Sequence, residues 1–249
     1  FAQNGSTNGN KFKQLEGQWD HTMMKQEIGR YFSLPIGKKI PDGFYQQDLV
    51  HGVAFSSCRS SERLQIVKEI CRSSRKMAEN FMFKPKITAF DIMKEGFSLA
   101  LLHVKKPEML EYISSRQQAI LMQSKDWKII PSHCDLTAHN LTVLDKYPVL
   151  LDLAPHKVGF LPPFFAPICL IHSEVKEYDR LDLVKAFIEG KLDFEFSLLS
   201  GADEKDFDKD MRFDLLLSVT LALVATGNKI TTHNIDYWFE PIFDLLMEE

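Results

Sequence analysis

One segment, residues 129–155, constrains the fold of this chain more than any other part of the sequence. A polar loop that carries His133, Asp135 and Asn140 precedes two short strand-like stretches, and the second of these runs directly into Asp152. A carboxylate that follows a buried apolar strand is costly to desolvate unless a partner lies nearby. The pattern therefore predicts a β-hairpin that delivers Asp152 to the same place as the polar loop.

The side chains of this segment suit phosphoryl transfer. That reaction needs one carboxylate beside the accepting hydroxyl group, and oxygen ligands for the Mg²⁺ ion that neutralises the phosphates. Asp135 and Asn140 lie five residues apart on one loop, so both side chains can point into one cleft. An ordinary loop between two strands is the structural alternative, because single Asp and Asn residues are common in turns.

The segment resembles the Brenner motif of the aminoglycoside phosphotransferase and choline kinase-like superfamily. That motif reads His-Gly-Asp-x-x-x-x-Asn, followed by a hairpin and an apolar run that ends in Ile-Asp-Phe or Ile-Asp-Trp. Here His133, Asp135 and Asn140 stand at its polar positions, and Asp152 follows twelve residues after the asparagine. The resemblance implies ATP or GTP as the phosphate donor and Asp135 as the catalytic base. It further implies Asn140 and Asp152 as Mg²⁺ ligands, and His133 as a brace for the loop.

Two residues depart from the motif. Cys134 stands where the superfamily has glycine, so the loop must accommodate a side chain there. Leu153 stands where the superfamily has an aromatic residue after the metal-binding aspartate. Neither change removes an oxygen ligand that the motif implies.

The remaining sequence predicts an α+β, protein-kinase-like fold with two lobes. Residues 1–57 are predicted as a small β-rich nucleotide-binding lobe with one helix at 21–33, and the sequence leaves open whether this lobe is complete. Residues 58–249 are predicted as a larger helical lobe that holds the catalytic loop and the acceptor site. Apolar periodicity predicts its helices at residues 61–81, 90–104, 107–124, 181–188, 211–225 and 233–247, and a short strand at 127–130.

The nucleotide site of the smaller lobe is predicted from three charged residues. Kinases hold the nucleotide phosphates with a lysine on a strand, and a glutamate on the next helix fixes that lysine. Lys13, with Lys11 as its substitute, lies on the predicted strand 10–15, and Glu27 lies on the helix that follows. The alternative is a surface lysine and an exposed glutamate. The Asn- and Gly-rich residues 4–9 predict either a turn that covers the phosphates or a plain β-turn.

Composition argues against several function classes. The formal net charge of −4 gives no basic footprint for nucleic acid, and no apolar run reaches the roughly 18 residues of a membrane-spanning helix. The four cysteines are too widely spaced for a disulfide scaffold, which fits a reducing compartment, and we expect a cytoplasmic protein.

We therefore predict an ATP- or GTP-dependent and Mg²⁺-dependent kinase that phosphorylates a hydroxyl group of a small molecule or glycan. A sugar, an aminoglycoside-like compound and an amino alcohol all remain open as acceptors, and the oligomeric state is open too. One alternative is a non-catalytic kinase-like module that binds nucleotide or a protein partner. The other is a Ser/Thr protein kinase. Two absences argue against it, since no arginine directly precedes Asp135 and no Ala-Pro-Glu sequence follows Asp152.

Overall fold

A computed structural model describes residues 21–35, 37–39, 45–47, 51–153, 157–177, 181–226 and 235–247. Its first elements are helix α1 (His21–Gly29) and strands β1 (Gly37–Lys39), β2 (Tyr45–Gln47) and β3 (Val53–Ala54). A 3₁₀ turn then leads into helices α2 (Ser60–Asn80), α3 (Ala89–His103) and α4 (Pro107–Gln123). These three helices begin and end within one residue of the predicted bounds.

Four further strands and five further helices complete the described part of the chain. The strands are β4 (Ile130–His133), β5 (Leu141–Leu144), β6 (Tyr147–Leu150) and β7 (Val158–Leu161). The helices are α5 (Phe165–Glu177), α6 (Asp182–Ile188), α7 (Asp193–Ser200), α8 (Lys209–Thr226) and α9 (Ile235–Met247). None of the helices within the described ranges is long and apolar enough to cross a membrane.

Two short antiparallel sheets deliver the polar loop. Strand β4 pairs with β7, with His133 opposite Val158, and β5 forms a hairpin with β6 in a sheet of order β3-β5-β6. Asp145 and Lys146 make the hairpin turn with φ of 49° and 71°, the left-handed geometry that matches the twist of paired strands. The predicted strand at 127–130 is wrong in its position, because β4 begins at Ile130 and continues through buried Ser132 to His133.

The core of the helical region is built around α8. Its side chains are buried without interruption from Phe213 to Ala225, as expected for a helix that is apolar on all sides. The helix predicted at residues 211–225 is therefore confirmed. The aromatic stretch at residues 160–165 also packs into the core, since Phe160, Phe164 and Phe165 are all buried.

Replacing Gly96 with alanine is expected to destabilise the protein by about 1–3 kcal/mol. Helix α3 packs so closely on α8 at this point that a Cβ on Gly96 would lie 2.5 Å from the carbonyl oxygen of Leu221. A backbone atom cannot move aside as the end of a flexible side chain can. Urea unfolding measures the change, and Ser98→Ala on the exposed face of the same helix is the matched control. An unchanged midpoint for the Gly96 variant would contradict the close packing.

Candidate active site

The His133 imidazole joins the polar loop to the end of strand β6. The backbone N–H of Asp135 donates to Nδ1 of His133 at 3.1 Å, and Nε2 of His133 donates to the carbonyl oxygen of Leu151 at 2.9 Å. A neutral imidazole offers one acceptor and one donor nitrogen, which these two bonds use fully. Burial lowers the pKa of His133 below its ordinary value, so the neutral ring is the favoured form. The ring is thus placed to hold the loop without adding charge.

Asn140 closes the loop from its other end. Its side-chain Nδ2 donates to the backbone carbonyl of Asp135 at 2.7 Å. The backbone carbonyl oxygen of Asn140 accepts from the N–H of Leu151 at 2.9 Å. The same Nδ2 lies 3.5 Å from Oδ2 of Asp135. Because the amide nitrogen is committed to Asp135, the Oδ1 atom of Asn140 is the one that can bind a cation.

Asp152 leaves the path of strand β6 in an unusual backbone conformation. Its φ of 54° lies in the left-handed region, which few residues other than glycine adopt and which aspartate tolerates better than most. The next residue is fixed from α1, since Nε2 of His21 donates to the carbonyl oxygen of Leu153 at 2.7 Å. Strained backbone of this kind clusters at functional sites. Here it turns the Asp152 carboxylate, which is 50% exposed, toward the polar loop.

One ammonium group joins two of the predicted oxygen-bearing side chains, and the third is hydrogen-bonded to one of them. Nζ of Lys157 lies 3.0 Å from Oδ2 of Asp135 and also forms an ion pair with Oδ2 of Asp152. Both carboxylates are therefore within one hydrogen bond of the same cation, and Asn140 is bonded to Asp135. Asp135 is buried, so its charge depends on these neighbours.

Sequence reasoning did not identify Lys157. The available signal was a lysine in the short connection between Asp152 and β7, the strand that pairs with β4 beside His133. The backbone carbonyl of Lys157 accepts from the N–H of Cys134 at 2.8 Å, which places this lysine beside the polar loop. The Cys134 side chain, which replaces the glycine of the motif, is buried in the core.

The predicted nucleotide-binding residues are described only in part. Glu27 is buried on α1, and its carboxylate accepts a hydrogen bond from the Arg30 guanidinium at 2.6 Å. Lys13 and Lys11, its predicted partners, and the turn at residues 4–9 lie outside the described residues. The lysine–glutamate pair and the covering turn therefore stay predictions, as does the division into lobes at residues 57 and 58.

The donors around Lys157 fit a divalent cation. Asp152 and Asn140 present oxygen atoms, the ligands that Mg²⁺ prefers, and the Lys157 ammonium stands in for a positive ion between the carboxylates. In the described part of the chain, no group of three or more His, Cys, Asp or Glu side chains is arranged to hold a metal. A Mg²⁺ ion here would thus rely on few protein ligands, with substrate phosphates and water completing its shell, as is usual for this metal.

Solved structures of kinases share this fold. A choline/ethanolamine kinase family protein from Mesorhizobium loti superposes with a TM-score of 0.53 at 14% identity, covering 92% of this chain and 80% of the other. A thermostable mutant of the aminoglycoside phosphotransferase APH(4)-Ia gives 0.51 at 12% identity, covering 92% and 83%. A glucosamine kinase solved with glucosamine, ADP and inorganic phosphate gives 0.50 at 13% identity, covering 92% and 68%.

No protein-family model and no curated protein matches the sequence. The structural similarities nevertheless confirm the predicted α+β, protein-kinase-like fold and its resemblance to the aminoglycoside phosphotransferase and choline kinase-like proteins. At 12–14% identity, the similarities establish the fold alone.

Proposed function

We propose that this chain is a phosphotransferase that moves the terminal phosphate of ATP or GTP onto a hydroxyl group of a small molecule or glycan. The observation that carries the proposal is that Lys157 contacts the carboxylates of both Asp135 and Asp152, while Asn140 is hydrogen-bonded to Asp135. The solved structures that share the fold are kinases and phosphotransferases by name, and one of them was solved with ADP. These names support a kinase of small molecules here.

In the proposed reaction, Asp135 accepts the proton of the acceptor hydroxyl group. The hydroxyl oxygen forms a bond to the terminal phosphorus, and the bond from that phosphorus to the bridging oxygen breaks. The bonding electrons leave with the nucleoside diphosphate. Asp135 needs a fixed direction for this role, because a catalytic base must lie within hydrogen-bond reach of the proton that it takes. Two hydrogen bonds hold Asp135 in a fixed orientation. Its backbone N–H donates to His133, and its backbone carbonyl accepts from Asn140.

Asn140 and Asp152 are the residues that would hold Mg²⁺ in this site. When bound, the ion would neutralise the charge of the phosphates. Asp152 suits a metal that arrives with the nucleotide, because its carboxylate is half exposed whereas Asp135 is buried. In the proposed site, Lys13 or Lys11 would contact the phosphates, with Glu27 fixing the lysine. His133 stays neutral and holds the loop.

A second candidate is a non-catalytic kinase-like module. The observation that favours it is the contact of Lys157 with both carboxylates, because an ammonium group held permanently between them would exclude a metal ion. Such a module would bind nucleotide or a protein partner without transferring phosphate. Retention of the three oxygen-bearing side chains of the motif, those of Asp135, Asn140 and Asp152, favours the enzyme.

Transfer of labelled terminal phosphate tests the proposal. The protein is incubated with Mg²⁺ and labelled ATP or GTP, together with amino sugars, amino alcohols, aminoglycosides, oligosaccharides or protein substrates. We expect labelled phosphate on one class of small molecule or glycan, identified by mass spectrometry. Label on proteins alone would favour a Ser/Thr protein kinase. Nucleotide binding without transfer to any acceptor would favour the non-catalytic module.

A further inference from the structure

Lys157 occupies a defined place between the two candidate carboxylates. Its Nζ lies 3.0 Å from Oδ2 of Asp135 and also contacts Oδ2 of Asp152, and only 20% of its side chain is exposed. The backbone hydrogen bond from Cys134 to its carbonyl oxygen fixes the point from which the side chain extends. The contact with Asp135 is therefore largely buried, whereas the contact with Asp152 is open to solvent.

The two carboxylates hold this ammonium group unequally. Asp135 is buried, lies within a loop closed by Asn140, and its Oδ2 is 3.5 Å from the Asn140 amide. Asp152 is half exposed and stands at the end of a strand in a left-handed conformation. A cation that arrives from solvent can thus reach Asp152 directly, whereas Asp135 is shielded by its neighbours.

We propose that Lys157 is an internal counter-ion that holds the position of the divalent cation beside Asp152 until a metal ion displaces it. The inference rests on the proposed function, in which Asp152 is a metal ligand. In the free protein, Lys157 offsets the repulsion between two nearby carboxylates and keeps both in place. On metal binding, Lys157 gives up Asp152 and keeps Asp135. It is therefore a positioning residue for the base and a competitor of the metal.

This competition predicts a measurable gain in metal affinity when the ammonium group is removed. Lys157→Met keeps a side chain of similar length without charge, and it leaves Asp152 beside Asp135 with no cation between them. We expect the nucleotide-free variant to bind Mn²⁺ at least about tenfold more tightly than the unaltered protein, because the positive charge that competes for Asp152 has gone. Lys157→Arg keeps the charge, and we expect its affinity to stay close to that of the unaltered protein.

The experiment is a titration of each nucleotide-free protein with Mn²⁺, in which free Mn²⁺ is followed by electron paramagnetic resonance. The set includes Lys157→Met with Asp152→Asn, where the gain should disappear, and Lys94→Met, an exposed lysine on α3 whose loss should change nothing. Circular dichroism checks that each variant is folded. Equal affinity for folded Lys157→Met and the unaltered protein would overturn the inference, and so would an equal gain in the Lys94 variant.

If the Lys157 variants do not fold, a crystal structure of the unaltered protein with Mn²⁺ tests the inference. We expect the ion on Asp152 and the Nζ of Lys157 withdrawn from that carboxylate. Mn²⁺ bound at Asp152 with the Lys157–Asp152 contact intact would overturn the inference. Neither experiment contains nucleotide or acceptor, so a failure to transfer phosphate would leave the result unaffected, and the proposed function and this inference can fail separately.

Discussion

Replacing Asp135 with asparagine is expected to lower the rate of phosphate transfer by about 10² to 10⁴, the range typical for loss of a positioned general base. Asparagine has nearly the same shape as aspartate but cannot accept the hydroxyl proton. The two hydrogen bonds that fix residue 135 through its backbone involve His133 and Asn140, and neither depends on the carboxylate. The variant should therefore fold normally and still bind nucleotide.

The measurement is kcat for the acceptor found in the transfer assay, with nucleotide affinity determined in parallel. Asp126→Asn, an exposed carboxylate in the turn after α4, is the matched control and should leave kcat unchanged. A rate for the Asp135 variant within about threefold of the unaltered protein would contradict the role of Asp135, because a general base contributes far more than that.

Replacing Glu174 with glutamine is expected to destabilise the protein by about 3 kcal/mol, near the lower end of the cost of breaking a buried ion pair. Glu174 and Arg63 are each at most 2% exposed, and a guanidinium nitrogen of Arg63 bonds the Glu174 carboxylate. The other carboxylate oxygen accepts from the backbone N–H groups of Leu183 and Val184. Glutamine can still accept those backbone bonds, but it leaves the Arg63 charge buried and poorly compensated.

A double variant distinguishes the effect of the buried charge on stability from the effect of altered packing. Arg63→Met together with Glu174→Gln removes the buried charge, whose remaining ionic neighbour is the partly exposed Asp182 carboxylate at 3.6 Å, and it retains the amide acceptor for Leu183 and Val184. Most of the lost stability should therefore return. Urea unfolding gives the free energies, and Glu79→Gln, in an exposed pair with Arg75, should change stability by less than about 1 kcal/mol. A loss below about 1 kcal/mol for the single Glu174 variant would contradict the importance of the buried pair.

Apolar pattern predicted most of the helices of this fold but missed α5 (Phe165–Glu177) and α7. Helix α2 carries a clear apolar stripe with helical periodicity, and α8 was evident from its long and mostly apolar run of residues. Helix α7 was missed because it spans only Asp193–Ser200, and a two-turn helix gives little periodic signal. Strand β4 was misplaced because its last residues, Ser132 and His133, are polar, and their burial depends on partners that the sequence does not show.

The sequence predicted which motif residues form the candidate site, but it did not predict the ion pairs that their carboxylates make. The motif spacing identified His133, Asp135, Asn140 and Asp152, and the structure brings these side chains together; their chemical roles stay proposals. The left-handed backbone of Asp152 follows from how the hairpin meets the loop, which is a tertiary property. The sequence shows Lys157 shortly after Asp152, but it does not show that β7 pairs with β4, and this pairing brings Lys157 to the carboxylates.

The most direct test of the account is a crystal structure with a non-hydrolysable ATP analogue and a divalent cation, with Mn²⁺ located by its anomalous scattering in a parallel crystal. We expect a cation bound by an Asp152 oxygen and by Oδ1 of Asn140, at about 2.0–2.1 Å for Mg²⁺, with the terminal phosphate beside Asp135. A cation held by phosphate and water alone, with Asp152 still paired to Lys157, would contradict it.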